Sequence, residues 1–123
     1  MENRAINQAR IQYQSIAAMV AALEEADNGN ALEDAIEAIQ YDPISVEVRS
    51  DWHSPFQTPE PEEFRILLCT GGPAVQIRGE LDSYSQPRRA WLEYQDWGTP
   101  WTRYFDADQE VLLTYCLQFY FGE

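Results

Sequence analysis

The sequence predicts an α+β fold: two N-terminal helices, a four-stranded antiparallel meander sheet and a C-terminal helix packed on the sheet. Two changes of texture predict it. Apolar residues recur every three or four positions up to Gln40, alternate every second position from Ile44, and return to helical spacing after Asp106. The alternating runs are joined by short polar, Gly- and Pro-containing segments, so strands follow one another as neighbours and helices cover a face. A chain of 123 residues is expected to form a single domain. Its helical hairpin is expected at about 3–40, the sheet at about 44–105 and the last helix at about 107–120.

The first helix is placed at 3–26. Ile6, Ala9, Tyr13, Ile16, Val20 and Leu23 are spaced 3, 4, 3, 4, 3 and form one stripe. Ala17, Ala18, Ala21 and Ala22 add propensity, and Asn28-Gly29-Asn30 is expected to end the helix. The second helix runs from about Ala31 to Gln40, capped by Asn30, with Leu32, Ala35, Ile36 and Ile39 inward. Asp42-Pro43 stops it, because a residue before proline is pushed out of the helical region. Ile44, Val46 and Val48 then alternate with Ser45, Glu47 and Arg49, as in a half-buried strand. Pro55, Pro59 and Pro61 make 52–61 a loop. Phe64–Thr70 is apolar on both faces at Leu67 and Leu68, the mark of a central strand. Gly71-Gly72-Pro73 is a turn. Ala74–Leu81 follows, with Val75 and Ile77 opposite Gln76 and Arg78. Ala90–Trp97 is the fourth strand, with Trp91 and Glu93 on one face and Leu92 and Tyr94 on the other. Asp106 and Gln109 have the spacing of a capping box. Val111, Leu112, Tyr115, Cys116 and Phe119 face inward from the helix beyond it.

Charge is the strongest functional signal. Twenty-one Asp and Glu residues oppose eight arginines and no lysine, a formal net charge of −13. No basic residue falls between Arg10 and Arg49, yet that stretch holds Glu24, Glu25, Asp27, Glu33, Asp34, Glu37, Asp42 and Glu47. Such a field repels DNA, RNA and anionic lipid and attracts basic partners. The 45% hydrophobic content and 16 aromatic residues exclude a disordered acidic tail. No run of 18 apolar residues is present for a membrane span. The start, MENRAINQAR, is polar and mixed in charge, unlike a secretory leader. Cys69 and Cys116 sit in apolar patterns and read as buried thiols. A cytoplasmic protein is expected.

Catalytic groupings are weak. Asp51, His53 and Ser54 are sequence neighbours entering a proline loop, whereas a triad needs members that converge in space. One histidine and two separated cysteines are a poor zinc set. Cys69-Thr70-Gly71-Gly72-Pro73 has no following lysine or helix and reads as a hairpin turn rather than a phosphate cradle. No catalytic residue, metal site or cofactor is expected, and the chain is read as a non-enzyme.

Two surfaces remain. Trp91, Tyr94, Trp97, Trp101, Tyr104 and Phe105, near Arg88, Arg89 and Arg103, are material for packing or for a protein-contact patch. Trp97, Trp101 and Tyr104 are the patch candidates. The acidic run is the other surface. Glu33 and Glu37 stand at i, i+4, where like charges cost a few tenths of a kcal/mol, and no lysine is interspersed, although ordinary soluble surfaces mix signs. A carboxylate row on helices can imitate the phosphate row of a duplex.

From Val46 to its end, about two thirds of its length, the chain resembles a family of small acidic proteins carried by bacterial prophages, plasmids and integrative elements. The resemblance rests on Val48-Arg49-Ser50-Asp51-Trp52 and on Leu68-Cys69-Thr70-Gly71-Gly72-Pro73-Ala74-Val75. It also rests on Gln95-Asp96-Trp97 with Thr99-Pro100-Trp101, and on the ending Phe119-Tyr120-Phe121-Gly122-Glu123. The resemblance implies a setting, the bacterial host cell, in which small accessory proteins disable defence as anti-CRISPR and antirestriction proteins do. The expectation is an anti-defence DNA mimic. Glu24, Glu25, Asp27, Glu33, Asp34, Glu37 and Asp42 would enter a basic nucleic-acid channel. A type I CRISPR surveillance complex is the first candidate host and a restriction enzyme the second, with no direct nucleic-acid or membrane contact. The alternative is a structural adaptor using Trp97, Trp101 and Tyr104, with homodimerisation as an option.

Overall fold

The computed structural model describes residues 4–122. The order is α1 (Arg4–Glu25), α2 (Gly29–Gln40), β1 (Ser45–Ser50), β2 (Pro61–Cys69), β3 (Ala74–Leu81), β4 (Pro87–Gln95), β5 (Thr102–Tyr104) and α3 (Gln109–Cys116). The strands form one antiparallel sheet in the order β1-β2-β3-β4-β5. The expected α+β class and meander are present, but the sheet has five strands rather than four. β5 has only three residues, too few to show a period of 2 in sequence.

The helix boundaries shift for local reasons. Asn28, not Asn30, caps α2: its backbone is extended (φ −151°, ψ 167°) and its side chain accepts from the Ala31 N–H at 2.8 Å. The segment expected to end one helix therefore starts the next. Asp108, not Asp106, caps α3, accepting from the Glu110 N–H at 2.9 Å. The backbone of Leu117–Phe119 leaves the helix in tight turns, so α3 has 8 residues and ends at Cys116, short of the expected end near 120. On α1 the buried stripe is Ala5, Ala9, Ile16 and Val20, flanked by half-buried Tyr13 and Leu23, with Ile6 exposed. The helix rotates slightly to bring alanines against the sheet.

α1 and α3 lie over β3 and β4, while α2 packs on α1 rather than on the sheet. Between the layers lie Ile16, Ile39, Ile66, Ile77, Leu92, Leu112 and Tyr115, all fully buried. Tyr13 links the helices, accepting the Asp108 N–H at 3.1 Å. Phe64 stacks on Phe121 with ring centroids 4.7 Å apart. It does so by crossing Gly79, where a Cβ would run into the Phe64 ring and the Arg89 carbonyl. Here glycine is required for space, not for its dihedrals.

Three ladder irregularities shape the sheet. An extra residue enters β2 at Glu62 and at Leu68, and β4 at Arg88. The bulge at Leu68 lets consecutive residues turn inward: Leu68 is buried, and Cys69 sits beside Gln8 and Gln12 of α1. The apolar pair Leu67–Leu68 itself is ordinary alternation in an interior strand, Leu67 on the uncovered face and Leu68 on the covered one. Beyond the short β5, the side chain of Gln109 takes the free ladder N–H of Ala90 at 3.5 Å.

The first strand departs most from expectation. Val46 and Val48 pair with Ile66 and Phe64 on the covered face, but among the described residues helix cover over them is at most marginal. Ile44, Val46 and Val48 remain 58%, 37% and 49% exposed.

Two substitutions check this packing. Gly79→Ala is expected to cost about 1–3 kcal/mol by overpacking against Phe64 and the β4 backbone. Leu68→Ala is expected to cost about 2–5 kcal/mol by leaving a cavity. Thermal or urea unfolding measures both, and an unchanged midpoint for either would contradict the assigned contact.

Candidate partner-binding faces

Alternation along each strand turns charged residues to the face that no helix covers, and the register sets them in rows. One row is Arg49, Glu63, Glu80 and Arg89. The next is Glu47, Arg65, Arg78 and Trp91. The third is Ser45, Leu67, Gln76, Glu93 and Arg103. Neighbours across the rows pair. Arg65 donates to Glu47 at 3.0 Å, Arg49 forms a close pair with Glu63, and Arg78 lies 3.7 Å from Glu63. Arg88 and Arg89 grip Glu80 at 2.8 and 2.9 Å, one on each oxygen. The bulge at Arg88 is what lets two successive residues reach the same carboxylate. The Arg88 hydrogen bond is the main reason the Glu80 carboxyl is held below its ordinary pKa. Gln76 and Trp91 both donate to Glu93, at 2.8 and 2.9 Å. The guanidinium groups of Arg89 and Arg103 lie 5.7 and 5.5 Å from the Trp91 ring centroid.

This lattice concentrates the cations. The strands hold six of the eight arginines and five acids, a net of +1. The other 16 acids and two arginines therefore carry −14. Glu24, Glu25, Asp27, Glu33, Asp34, Glu37 and Asp42 are all exposed on α1, α2 and the segments that follow them. Among the described residues none of the seven is in an ion pair. Two have hydrogen-bond partners, one local and one remote. Asp27 accepts from the Asn28 side chain at 3.0 Å, and Asp42 accepts from the Tyr115 hydroxyl at 2.7 Å. Burial, and then Asp42, push the Tyr115 phenol far above its ordinary range, so it stays protonated and donates. Asp42 is thus tied to the core, whereas Glu24, Glu25, Glu33, Asp34 and Glu37 are not. Glu24 and Glu25 close α1, whose last turn has no basic residue. Anions at that end oppose the helix dipole by about 0.3–1 kcal/mol each.

The aromatic candidates divide. Trp97 stands 80% exposed in the β4–β5 turn, beside the Gly71-Gly72 turn. Trp101 is half-buried at the end of that turn. Tyr104 faces the helices, 6.5 Å between ring centroids from Tyr13, and packs against the core. Trp91 and Phe105 contact Arg103.

Asp51, His53 and Ser54 lie in the exposed 51–60 loop without joining into a relay. Asp51 accepts from the Trp52 N–H, and the His53 ring bonds the Ser54 carbonyl at 2.9 Å. Burial raises the pKa of both thiols, most strongly at fully buried Cys116. Among the described residues no three His, Cys, Asp or Glu side chains converge into a metal-sized set, and no helix is long and apolar enough to cross a membrane.

Sequence reading missed the lattice. Its signal was present as charged residues at every second position, but which charges meet depends on register and bulges. In comparisons with known proteins, no family model, curated protein or solved structure matches the chain.

Two outcomes are expected. Glu80 has a lowered folded-state pKa, so its stabilisation is complete above the unfolded carboxylate pKa and disappears as pH falls through the folded value. Melts of the protein and of Glu80→Gln are therefore expected to differ at pH 7 and to converge below about pH 4. His53→Ala is expected to change unfolding free energy by no more than about 0.5 kcal/mol. A larger loss in denaturant titration would give the ring a structural role its contacts do not explain.

Proposed function

We propose that the protein is a non-enzymatic binding protein whose acidic helical face occupies a basic protein surface that normally holds nucleic acid. The observation that carries this reading is the segregation of charge. Every arginine on the sheet has a carboxylate or an aromatic ring as neighbour, while among the described residues the helical carboxylates are in no ion pair. A surface selected only for solubility mixes signs. Carboxylates concentrated against a helix dipole and against one another reduce stability, and a cationic partner relieves both costs.

Magnitudes limit the mimicry. Glu33 and Glu37 are four residues apart, about 6 Å along the axis. One duplex strand carries a charge about every 3.4 Å. A single helical row is therefore about half as dense as a phosphate row, and α2 would need Glu24 and Glu25 of α1 beside it. Asp42 contributes less, because it is engaged by Tyr115. The resemblance to proteins of mobile elements supplies the setting: inhibition of a host defence complex, with a type I CRISPR surveillance complex first and a restriction enzyme second. The second reading, an adaptor of the element, rests on the exposed ring of Trp97.

Capture from a bacterial host lysate, with identification of the bound proteins, separates the two readings. A basic nucleic-acid-handling complex is expected under the first and element-encoded structural proteins under the second. For the captured partner, Glu33→Gln/Asp34→Asn/Glu37→Gln is expected to slow association while leaving the melting temperature equal or higher. Binding by the unsubstituted protein is expected to weaken between about 50 and 500 mM salt. A triple variant that binds like the original across that range would rule the acidic face out.

A further inference from the structure

β1 is an edge strand prepared for pairing. It is bonded on one side to β2, and the one irregularity of that ladder puts its extra residue in β2, so all six residues of β1 are paired, with a register shift between Arg49 and Ser50. The Ile44 N–H bonds to the Leu67 carbonyl. The Leu67 carbonyl thus points toward β1, and the register partner of Leu67 is Ser45. Backbone groups alternate sides along a strand, so Ser45, Glu47 and Arg49 serve β2. Val46, Val48 and Ser50 turn their N–H and C=O groups to the open edge. Soluble proteins usually blunt such an edge with proline, lysine, a bulge or a covering element. The opposite edge is treated in this way: β5 is three residues long and Gln109 takes the N–H beyond it. β1 holds no proline or lysine and the extra residue of its ladder lies in β2, and among the described residues its covered-side Val46 and Val48 have at most marginal helix cover and stay 37% and 49% exposed.

We infer that β1 pairs antiparallel with β1 of a second copy, joining two sheets into one of ten strands. The side chains select the register. Outward-facing residues must meet outward-facing residues, so the two-fold axis passes through an even or an odd residue with its own copy opposite. An axis at Glu47 sets Glu47 against Glu47, and one at Arg49 sets arginine against arginine. An axis at Val48 sets Glu47 against Arg49 twice, once on each side. It extends the rows of the open face without a break: Arg65, Glu47, then Arg49 and Glu63 of the second copy. On the other face Val48 meets Val48. Charge also selects the place. Two chains of −13 repel, but the strands carry a net of +1, so the sheet edge is where copies approach at least electrostatic cost. Six residues a side form an interface smaller than the about 1,200–2,000 Å² of stable complexes, so dissociation in the micromolar range is expected.

Sedimentation velocity from about 1 to 300 µM is expected to show a monomer–dimer equilibrium. Glu47→Arg creates two arginine–arginine contacts and Arg49→Glu two glutamate–glutamate contacts. Each variant alone is expected to dimerise about tenfold more weakly or worse. An equimolar mixture of the two restores opposite charges at both positions and is expected to associate. Circular dichroism melts confirm that each variant is folded. Hydrogen exchange supplies a second readout: the Val46 and Val48 amides are expected to slow as concentration rises. A chain that stays monomeric throughout, a dimer indifferent to both substitutions, or a mixture no tighter than its components would overturn the inference. The acidic-face variant Glu33→Gln/Asp34→Asn/Glu37→Gln is expected to dimerise normally, so failure of this pairing is distinct from failure of the proposed partner binding.

Discussion

Helices cover one face of the sheet, and the other face meets water with no layer over it. This asymmetry constrains most of the charge in the chain. A five-stranded sheet with one bare face needs polar side chains at every second position of every strand. Here those positions are filled by arginine and glutamate in facing rows, with Trp91 set between two guanidinium groups. Arginine suits the task because its planar fork holds carboxylates and stacks on rings. Once the bare face has taken six arginines, only Arg4 and Arg10 remain for the helices. The acidic helical face is in that sense the complement of the sheet.

Individual pairs on the bare face contribute little, since exposed ion pairs are worth about 0–1 kcal/mol each. Their collective effect is on specificity. Glu80 held by two arginines, and Glu93 held by Gln76 and Trp91, tie adjacent strands in one register. A slip by one residue would move every charge to the helix side. Stability comes from the other face. There Phe64 fits over Gly79 and under Phe121, and Ile16, Ile39, Ile66 and Ile77 are fully buried.

The same asymmetry leaves two surfaces unfinished. Among the described residues the helical carboxylates are in no ion pair, and the outer edge of β1 has no neighbouring strand. They differ in chemistry, one long-range and screened by salt, the other short-range and dependent on backbone geometry. They also differ in position, so occupation of one does not require the other.

Residue pattern alone determined the class, the meander and most of the core, because periodicity follows directly from backbone geometry. Val75, Ile77, Leu92, Leu112 and Tyr115 were legible as inward residues for that reason. The acidic run and its lack of lysine were equally plain, since charge is additive along a chain. Tertiary structure decided what depends on distance between remote segments. It alone places Asp42 on the Tyr115 hydroxyl, 73 residues away. It alone turns Cys69 toward α1 through a bulge, brings two arginines onto Glu80, and leaves Val46 and Val48 with at most marginal helix cover. A strand with alternating apolar residues looks half-buried in sequence, but whether anything lies above it is a property of how far the other layer extends.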